Sequence, residues 1–148
     1  MPSRQPSQAV LTAVPAPNLG IPLPWTLITL LGALLLTVGA VIALAHPILL
    51  VPPASQITEA VRIYAGYLAS RNLALAIMLV ALLVLRARLS LAHLMALVAL
   101  IQFIDAVIDA AEARWAIVPG VLLLGLLFLL AATRLAGRQL WKHTASTA

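Results

Sequence analysis

Four long apolar stretches, separated by short polar segments, make up most of the chain. They cover about residues 25–46, 60–85, 89–111 and 115–135. Each stretch is long enough to cross roughly 30 Å of hydrocarbon at about 1.5 Å of rise per helical residue. The intervening segments contain prolines or arginines, which interrupt apolar helices. The pattern predicts an all-α fold, an integral membrane four-helix transmembrane bundle with short connections.

The two ends of the chain differ from this apolar region. Residues 1–24 contain six prolines and predict an extended, mobile leader, because proline blocks helix interiors. Residues 137–148 predict a basic polar tail, which leaves 25–136 as the transmembrane domain. Residues 43–45 resemble a signal-peptidase site, but the apolar region before them exceeds the usual ~7–15 residues. We therefore expect the first helix to be retained.

Composition supports the membrane assignment. The 148 residues are 64% hydrophobic and only 9% charged, whereas soluble domains are roughly 45–50% apolar and 25% charged. A soluble fold of this composition would expose large apolar patches, so membrane lipid is the expected partner. The net charge of +5 comes from scattered basic residues. No nucleic-acid partner is expected, because nucleic-acid binding needs a clustered basic surface.

The distribution of basic residues predicts the orientation in the membrane. With four spans, one side of the membrane receives six of them and the other receives two. The six are Arg4, Arg86, Arg88, Arg134, Arg138 and Lys142, and the two are Arg62 and Arg114. The positive-inside rule then places both termini in the cytoplasm. A bacterial inner membrane and a eukaryotic endoplasmic reticulum membrane fit this prediction equally well.

Polar side chains on one face of the second span form the first part of a candidate site. Tyr64, Tyr67 and Arg71 are spaced at i, i+3 and i+7, so a helix places them on one face. Asn72 is an additional hydrogen-bonding partner beside Arg71. A charged residue at mid-membrane costs about 2.5–3.5 kcal/mol on insertion scales, which makes a functional role the default hypothesis.

The third span carries a matching polar face. Gln102, Asp105, Asp109 and Glu112 follow at i, i+3, i+7 and i+10, again on one side of a helix. An arginine in one apolar helix and carboxylates in the next are costly alone and tend to pair. The alternative for Asp109 and Glu112 is simple hydration near an interface. For the two tyrosines, the alternative is an interfacial aromatic belt.

The depths of Arg71 and Asp105 agree with such a pairing. Arg71 precedes Arg86 by 15 residues, roughly 22 Å of helix, and Asp105 follows Arg88 by 17 residues, roughly 25 Å. The two antiparallel spans are joined by the turn at these arginines, so both groups reach nearly the same level. The sequence predicts a polar cleft that opens outward and has Arg71 and Asp105 at its floor.

The candidate chemistry follows from these two faces. In a catalytic interpretation, Asp105 or Asp109 exchanges protons with a substrate and Arg71 stabilises a developing anion. The candidate binding residues are the other polar side chains of the two faces: Tyr64, Tyr67, Asn72, Gln102 and Glu112. Neither a metal-binding motif nor a phosphate-binding loop occurs in the sequence, so no metal or cofactor is expected.

Three functional hypotheses remain open at this point. The first is a small-molecule site in the membrane, in its specific form an acid/base isomerase or cyclase acting on a lipophilic metabolite. The second is a non-catalytic scaffold or subunit in which the Arg71–Asp105 pair is structural. The third is a transporter, which with only four spans would need to form a homo-oligomer.

Three stretches resemble the DoxX-like group of small four-helix membrane proteins, whose function is unassigned. They are residues 32–47, residues 67–76 and residues 104–106. In that group we expect an arginine followed by an aspartate and then Leu-Ala-Leu-Gly, whereas this chain has Asn72 in place of the aspartate and Ala76 in place of the glycine. The resemblance implies the four-helix fold and no particular activity. It also implies that Asp105 alone balances Arg71.

Overall fold

A computed structural model describes residues 20–51 and 56–137 and confirms the predicted all-α four-helix fold. Residues 1–19 of the predicted leader and residues 138–148 of the predicted tail lie outside the described residues. The four helices are α1 (Leu23–Ala45), α2 (Glu59–Val84), α3 (Arg88–Ala111) and α4 (Val118–Ala136). A short 3-10 helix, Pro47–Leu50, follows α1.

Two helix starts differ from the predicted spans. Helix α1 begins at Leu23, inside the predicted leader, because Pro24 lies in the first turn, where proline needs no backbone donor. Helix α4 begins at Val118 rather than at residue 115, because residues 115–117 form a turn. Pro119 then lies in the first turn of α4.

All four helices are long and apolar enough to cross a membrane. Large apolar side chains remain exposed along every helix, such as Leu34, Ile77, Leu100 and Leu123. An apolar surface of this extent would aggregate in water, whereas it is compatible with the hydrocarbon tails of lipids. The chain is therefore an integral membrane protein whose outer surface contacts lipid.

The ends of α2 and α3 are closed by left-handed residues that are not glycine. Arg86 after α2 has φ 52° and Ala113 after α3 has φ 58°. Such a residue turns the chain back so that the next N–H reaches a carbonyl in the last helical turn. After α3, the N–H of Arg114 donates to the carbonyl of Asp109 at 2.8 Å. This turn brings the Arg114 side chain back towards α3.

The bundle consists of two closely packed antiparallel hairpins, α1 with α2 and α3 with α4. The hairpins meet most tightly in the half of the bundle next to the α2–α3 turn, which we call the closed half. Its largest fully buried side chains come from all four helices: Thr29, Leu79, Leu91, Met95, Val98 and Phe128. The ring of Phe128 packs against Gly32 of α1, where any Cβ atom would overlap it. Glycine thus permits the α1–α4 contact.

Arg88 reinforces the closed half within the α3–α4 hairpin. Its Nε donates to the carbonyl of Leu135 at 2.9 Å, and its Nη2 donates to the carbonyl of Arg134 at 3.3 Å. The last carbonyls of a helix have no partners within the helix and carry partial negative charge. The guanidinium group therefore caps α4 and ties its end to the start of α3.

The other half, which lies next to the α1–α2 connection and the α3–α4 turn, is packed differently. We call it the open half. Its cluster of buried residues consists of four alanines from α1 and α2 only: Ala40, Ala43, Ala65 and Ala69. These small residues hold the first hairpin together, but this cluster contains no residue from α3 or α4. The two hairpins therefore separate in the open half and leave space between them.

Candidate functional site

A cavity of about 810 Å³ lies between the two hairpins in the open half. Its walls come from α2, α3, the start of α4 and Val51. The volume is typical of small-molecule sites, which measure about 300–1,000 Å³. The polar side chains in its walls are Tyr64, Arg71, Asn72, Gln102, Asp105, Asp109, Glu112 and Arg114. Leu68, Ile108 and Val121 are among the apolar side chains between them.

An ion pair between Arg71 and Asp105 joins the two sides of the cavity. Arg71 Nη2 donates to Asp105 Oδ2 at 3.0 Å, and this contact connects α2 to α3. The two side chains are 40% and 29% exposed, respectively. The pair is therefore accessible from the cavity and is not sealed in the core. Both residues lie nearest the closed half among the charged groups of the walls, so the pair forms the floor of the cavity.

A second set of charges lies at the mouth of the cavity. Arg114 Nη1 lies 3.1 Å from Asp109 Oδ1 and 3.9 Å from Glu112 Oε2. Asp109 is only 13% exposed, whereas Glu112 is 51% exposed. Arg114 thus pairs mainly with Asp109, and Glu112 remains the freer carboxylate.

Sequence reasoning did not identify Arg114 as a site residue. In the sequence, it lies between the third and fourth predicted spans and contributes only to the predicted orientation. Its position depends on the left-handed Ala113, which carries no glycine signal in the sequence. The sequence does contain one signal for its ion pairs, since Asp109 and Glu112 precede Arg114 by only five and two residues.

Three neutral polar side chains in the cavity walls have free hydrogen-bonding capacity. Within the described residues, no side-chain hydrogen bond to protein involves Tyr64, Asn72 or Gln102. Asn72 also lies close to α1, since a Cβ on Gly39 would lie 3.2 Å from Asn72 Nδ2. The two amides each carry donors and an acceptor, so both can bind a polar group of a ligand.

Tyr67 does not lie in the cavity wall, contrary to the prediction. Its side chain is 72% exposed, and the cavity lining on α2 includes Tyr64 and Leu68 instead. At about 100° per residue, Tyr67 lies about 60° around the helix from Tyr64, on the side opposite Leu68. Tyr67 therefore lies beyond the edge of the face that lines the cavity, whereas Arg71, about 20° from Tyr64, lies within it.

The other predicted site residues are brought together by the structure. Arg71, Asn72, Gln102 and Asp105 lie towards the floor, whereas Tyr64, Asp109 and Glu112 lie towards the mouth. Within residues 20–51 and 56–137, no three His, Asp or Glu side chains gather into a group that could hold a metal ion. The arrangement offers two ion pairs, two free amides and an apolar wall between them.

Comparisons of the chain with protein-family models, with curated proteins and with solved structures gave no match. The resemblance to the DoxX-like group therefore stays a prediction. Function has to be argued from the cavity and its residues.

Proposed function

We propose that the protein binds a lipophilic small molecule with a polar end in the cavity between α2 and α3. The observation that carries this proposal is a cavity of about 810 Å³ whose floor is an accessible Arg71–Asp105 pair. Two charges in apolar helices are costly, and filling the space with apolar side chains would avoid that cost. A binding role explains why the charges and the space occur together.

The cavity walls suit an amphiphilic ligand. Leu68, Ile108 and Val121 provide apolar surface between the floor and the mouth. Polar groups at both levels can orient the molecule, with the amides of Asn72 and Gln102 near the floor. A mostly apolar wall with a few directed polar groups is the usual composition of small-molecule sites.

Orientation in the membrane is part of the proposal. Arg86, Arg88 and Arg134 all lie at the end of the closed half, so the positive-inside rule puts this end and both termini in the cytoplasm. The cavity then opens towards the opposite, outer side. An impermeant reagent added to intact cells reaches the cavity only in this orientation.

The catalytic form of the proposal is an acid/base isomerase or cyclase acting on the bound lipophilic metabolite. Asp105 or Asp109 would move the proton, and Arg71 would stabilise negative charge that develops on the substrate. Both carboxylates already contact a guanidinium group at 3.0 Å and 3.1 Å, respectively. A substrate would therefore have to share these carboxylates with the arginines, so ligand binding is the primary proposal.

A second candidate function is that of a non-catalytic scaffold or subunit, alone or in a homo-oligomer. The observation that favours it is the position of the Arg71–Asp105 pair. This pair bridges α2 and α3, which otherwise pack much less closely than the helices within each hairpin. In that role the pair would hold the two hairpins together.

Single-cysteine variants test the binding proposal, since the chain contains no cysteine of its own. Ile108 lines the cavity, whereas Val107, one residue away on α3, is 68% exposed on the outer surface and does not. We expect an uncharged, water-soluble methanethiosulfonate to modify the Ile108→Cys variant in membranes and to leave the Val107→Cys variant in contact with lipid unmodified. Adding n-octanol, a simple amphiphile, should slow modification of the Ile108→Cys variant.

The same two cysteine variants also define the results that would contradict the proposal. Equal modification of both variants would mean that no hydrated cavity separates the two positions. Modification of the Ile108→Cys variant at an unchanged rate with saturating octanol would mean that the space does not bind an amphiphile. Either outcome would leave the scaffold as the better account.

A further inference from the structure

We infer that the polar end of the ligand is a cation, an ammonium group on an apolar chain, bound at the mouth of the cavity. This inference rests on the proposed function and names the ligand class for the same cavity. Two arginines and three carboxylates line the walls. With all five ionised, the cavity carries a net charge of minus one, which a monovalent cation would neutralise.

The charge of each guanidinium group is already balanced by a carboxylate. Arg71 contacts Asp105 at 3.0 Å, and Arg114 contacts Asp109 at 3.1 Å. An anionic ligand could use the N–H groups that remain on either arginine, but it would add a negative charge to a cavity in which carboxylates already outnumber guanidinium groups. The charge arrangement therefore disfavours ligands of net negative charge, such as fatty acids.

Glu112 is the carboxylate that a cation can use. Its Oε2 lies 3.9 Å from Arg114 Nη1, beyond hydrogen-bonding distance, and its side chain is 51% exposed. Tyr64 lines the same cavity from the opposite helix and has no side-chain hydrogen bond among the described residues. A carboxylate together with an aromatic ring is a favourable environment for an ammonium group, through charge and cation–π attraction.

The apolar wall provides for the rest of the molecule. Glu112 follows Asp105 by seven residues, roughly 10 Å of helix from the floor to the mouth. Leu68 and Ile108 line the interval. A chain of about eight carbons spans a similar length, so short alkylamines are suitable probes.

The experiment compares three octyl compounds that differ only in their polar end. Octylamine is protonated at neutral pH, octanol is neutral and octanoate is anionic. Each is tested for its ability to slow methanethiosulfonate modification of the Ile108→Cys variant in dodecyl maltoside micelles, which contain no ammonium group. We expect octylamine to protect at the lowest concentration, octanol at a higher one and octanoate least.

Two glutamate variants provide a matched test in the Ile108→Cys background. Glu112→Gln should raise the octylamine concentration needed for protection by about fivefold, the upper range for a partly exposed ion pair. It should leave protection by octanol unchanged. Glu59→Gln removes a carboxylate from the first turn of α2, outside the cavity walls. Glu59→Gln should change neither the octylamine concentration nor the octanol concentration needed for protection.

A lipid headgroup and a free amine could both supply the ammonium group. Phosphatidylethanolamine added to the micelles distinguishes them, with phosphatidylglycerol as the control lipid. Protection by phosphatidylethanolamine assigns the ammonium to a lipid, and protection by octylamine alone assigns it to a free amine. Both results support an ammonium group as the polar end that the cavity binds.

Two results would overturn the inference in different ways. If octanol or octanoate protects as well as octylamine, the cavity binds amphiphiles but does not select a cation, and the proposed function still stands. If none of the three protects the Ile108→Cys variant, the proposed function fails together with the inference.

Discussion

The closed and open halves of the bundle use the same four helices in opposite ways. In the closed half, large side chains from α2, α3 and α4 are completely buried, and Phe128 fills the space beside Gly32. In the open half, the compact cluster is four alanines in one hairpin, and the space between the hairpins is lined by charges. The difference predicts that stability is concentrated in the closed half, and the open half contains the space for the proposed ligand.

The contrast has a physical basis in the membrane. Lipid tails are as apolar as leucine, so helices associate through close packing and polar contacts and not through the exclusion of water. Gly32 allows that packing in the closed half. In the open half, a cavity lies between α2 and α3, and the Arg71–Asp105 pair is a polar contact across it. Substitutions in the two halves should therefore have very different effects on stability.

The largest expected difference is between two truncations in α4. Phe128 is fully buried in the closed half, whereas Val121 lines the cavity of the open half. Phe128→Ala should lower the free energy of unfolding by about 3–5 kcal/mol, the usual cost of deleting a buried aromatic ring. Val121→Ala should cost less than about 1 kcal/mol, because it only enlarges an existing cavity. Titration with sodium dodecyl sulfate measures the free energy of unfolding of both variants. Equal losses of stability would contradict the difference between the closed and open halves.

A smaller difference is expected between two glycine substitutions. A Cβ at Gly32 would overlap the Phe128 ring, so Gly32→Ala should lower the free energy of unfolding by about 1–3 kcal/mol. A Cβ at Gly66 of α2 would meet no atom within 4 Å, so Gly66→Ala should raise it by up to about 1 kcal/mol. The same titration reports both values. A Gly32→Ala variant with an unchanged free energy of unfolding would show that the closed half is less tightly packed than described.

The smallest expected effect concerns the turn that positions Arg114. Ala113 has φ 58°, a conformation that costs a residue with a side chain about 1–2 kcal/mol and glycine little. Ala113→Gly should therefore raise the free energy of unfolding by about 0.5–1 kcal/mol. Ala111→Gly, at the last helical residue of α3, should lower it by a similar amount. Destabilisation by Ala113→Gly would mean that the turn is not strained.

Much of the fold followed from the sequence, because apolar stretches of this length have few alternatives in a membrane. The meeting of Arg71 and Asp105 followed from counting residues away from the α2–α3 turn. Both lie at similar helical distances from it, and they contact at 3.0 Å in the structure. Helical rise fixes the depth of both residues counted from the turn that joins their antiparallel helices, and helical periodicity places each of them on the polar face of its helix.

Other features depend on tertiary packing and could not be predicted. The closed and open halves arise from the way that Phe128 fits against Gly32, which hydropathy does not reveal. The position of Arg114 depends on a left-handed alanine. The outward direction of Tyr67 depends on the rotation of α2 about its axis, and periodicity fixes that rotation only roughly.

The most direct test of the central claim is a double-mutant cycle on the ion pair. Arg71→Met and Asp105→Leu should each lower the free energy of unfolding by about 1–3 kcal/mol, because each leaves one charge unpaired. If the open half keeps its charges for binding, the double variant should be at least as stable as the unmodified protein. A double variant that stays as destabilised as the single ones would show that the pair holds the hairpins together, and it would contradict the binding proposal.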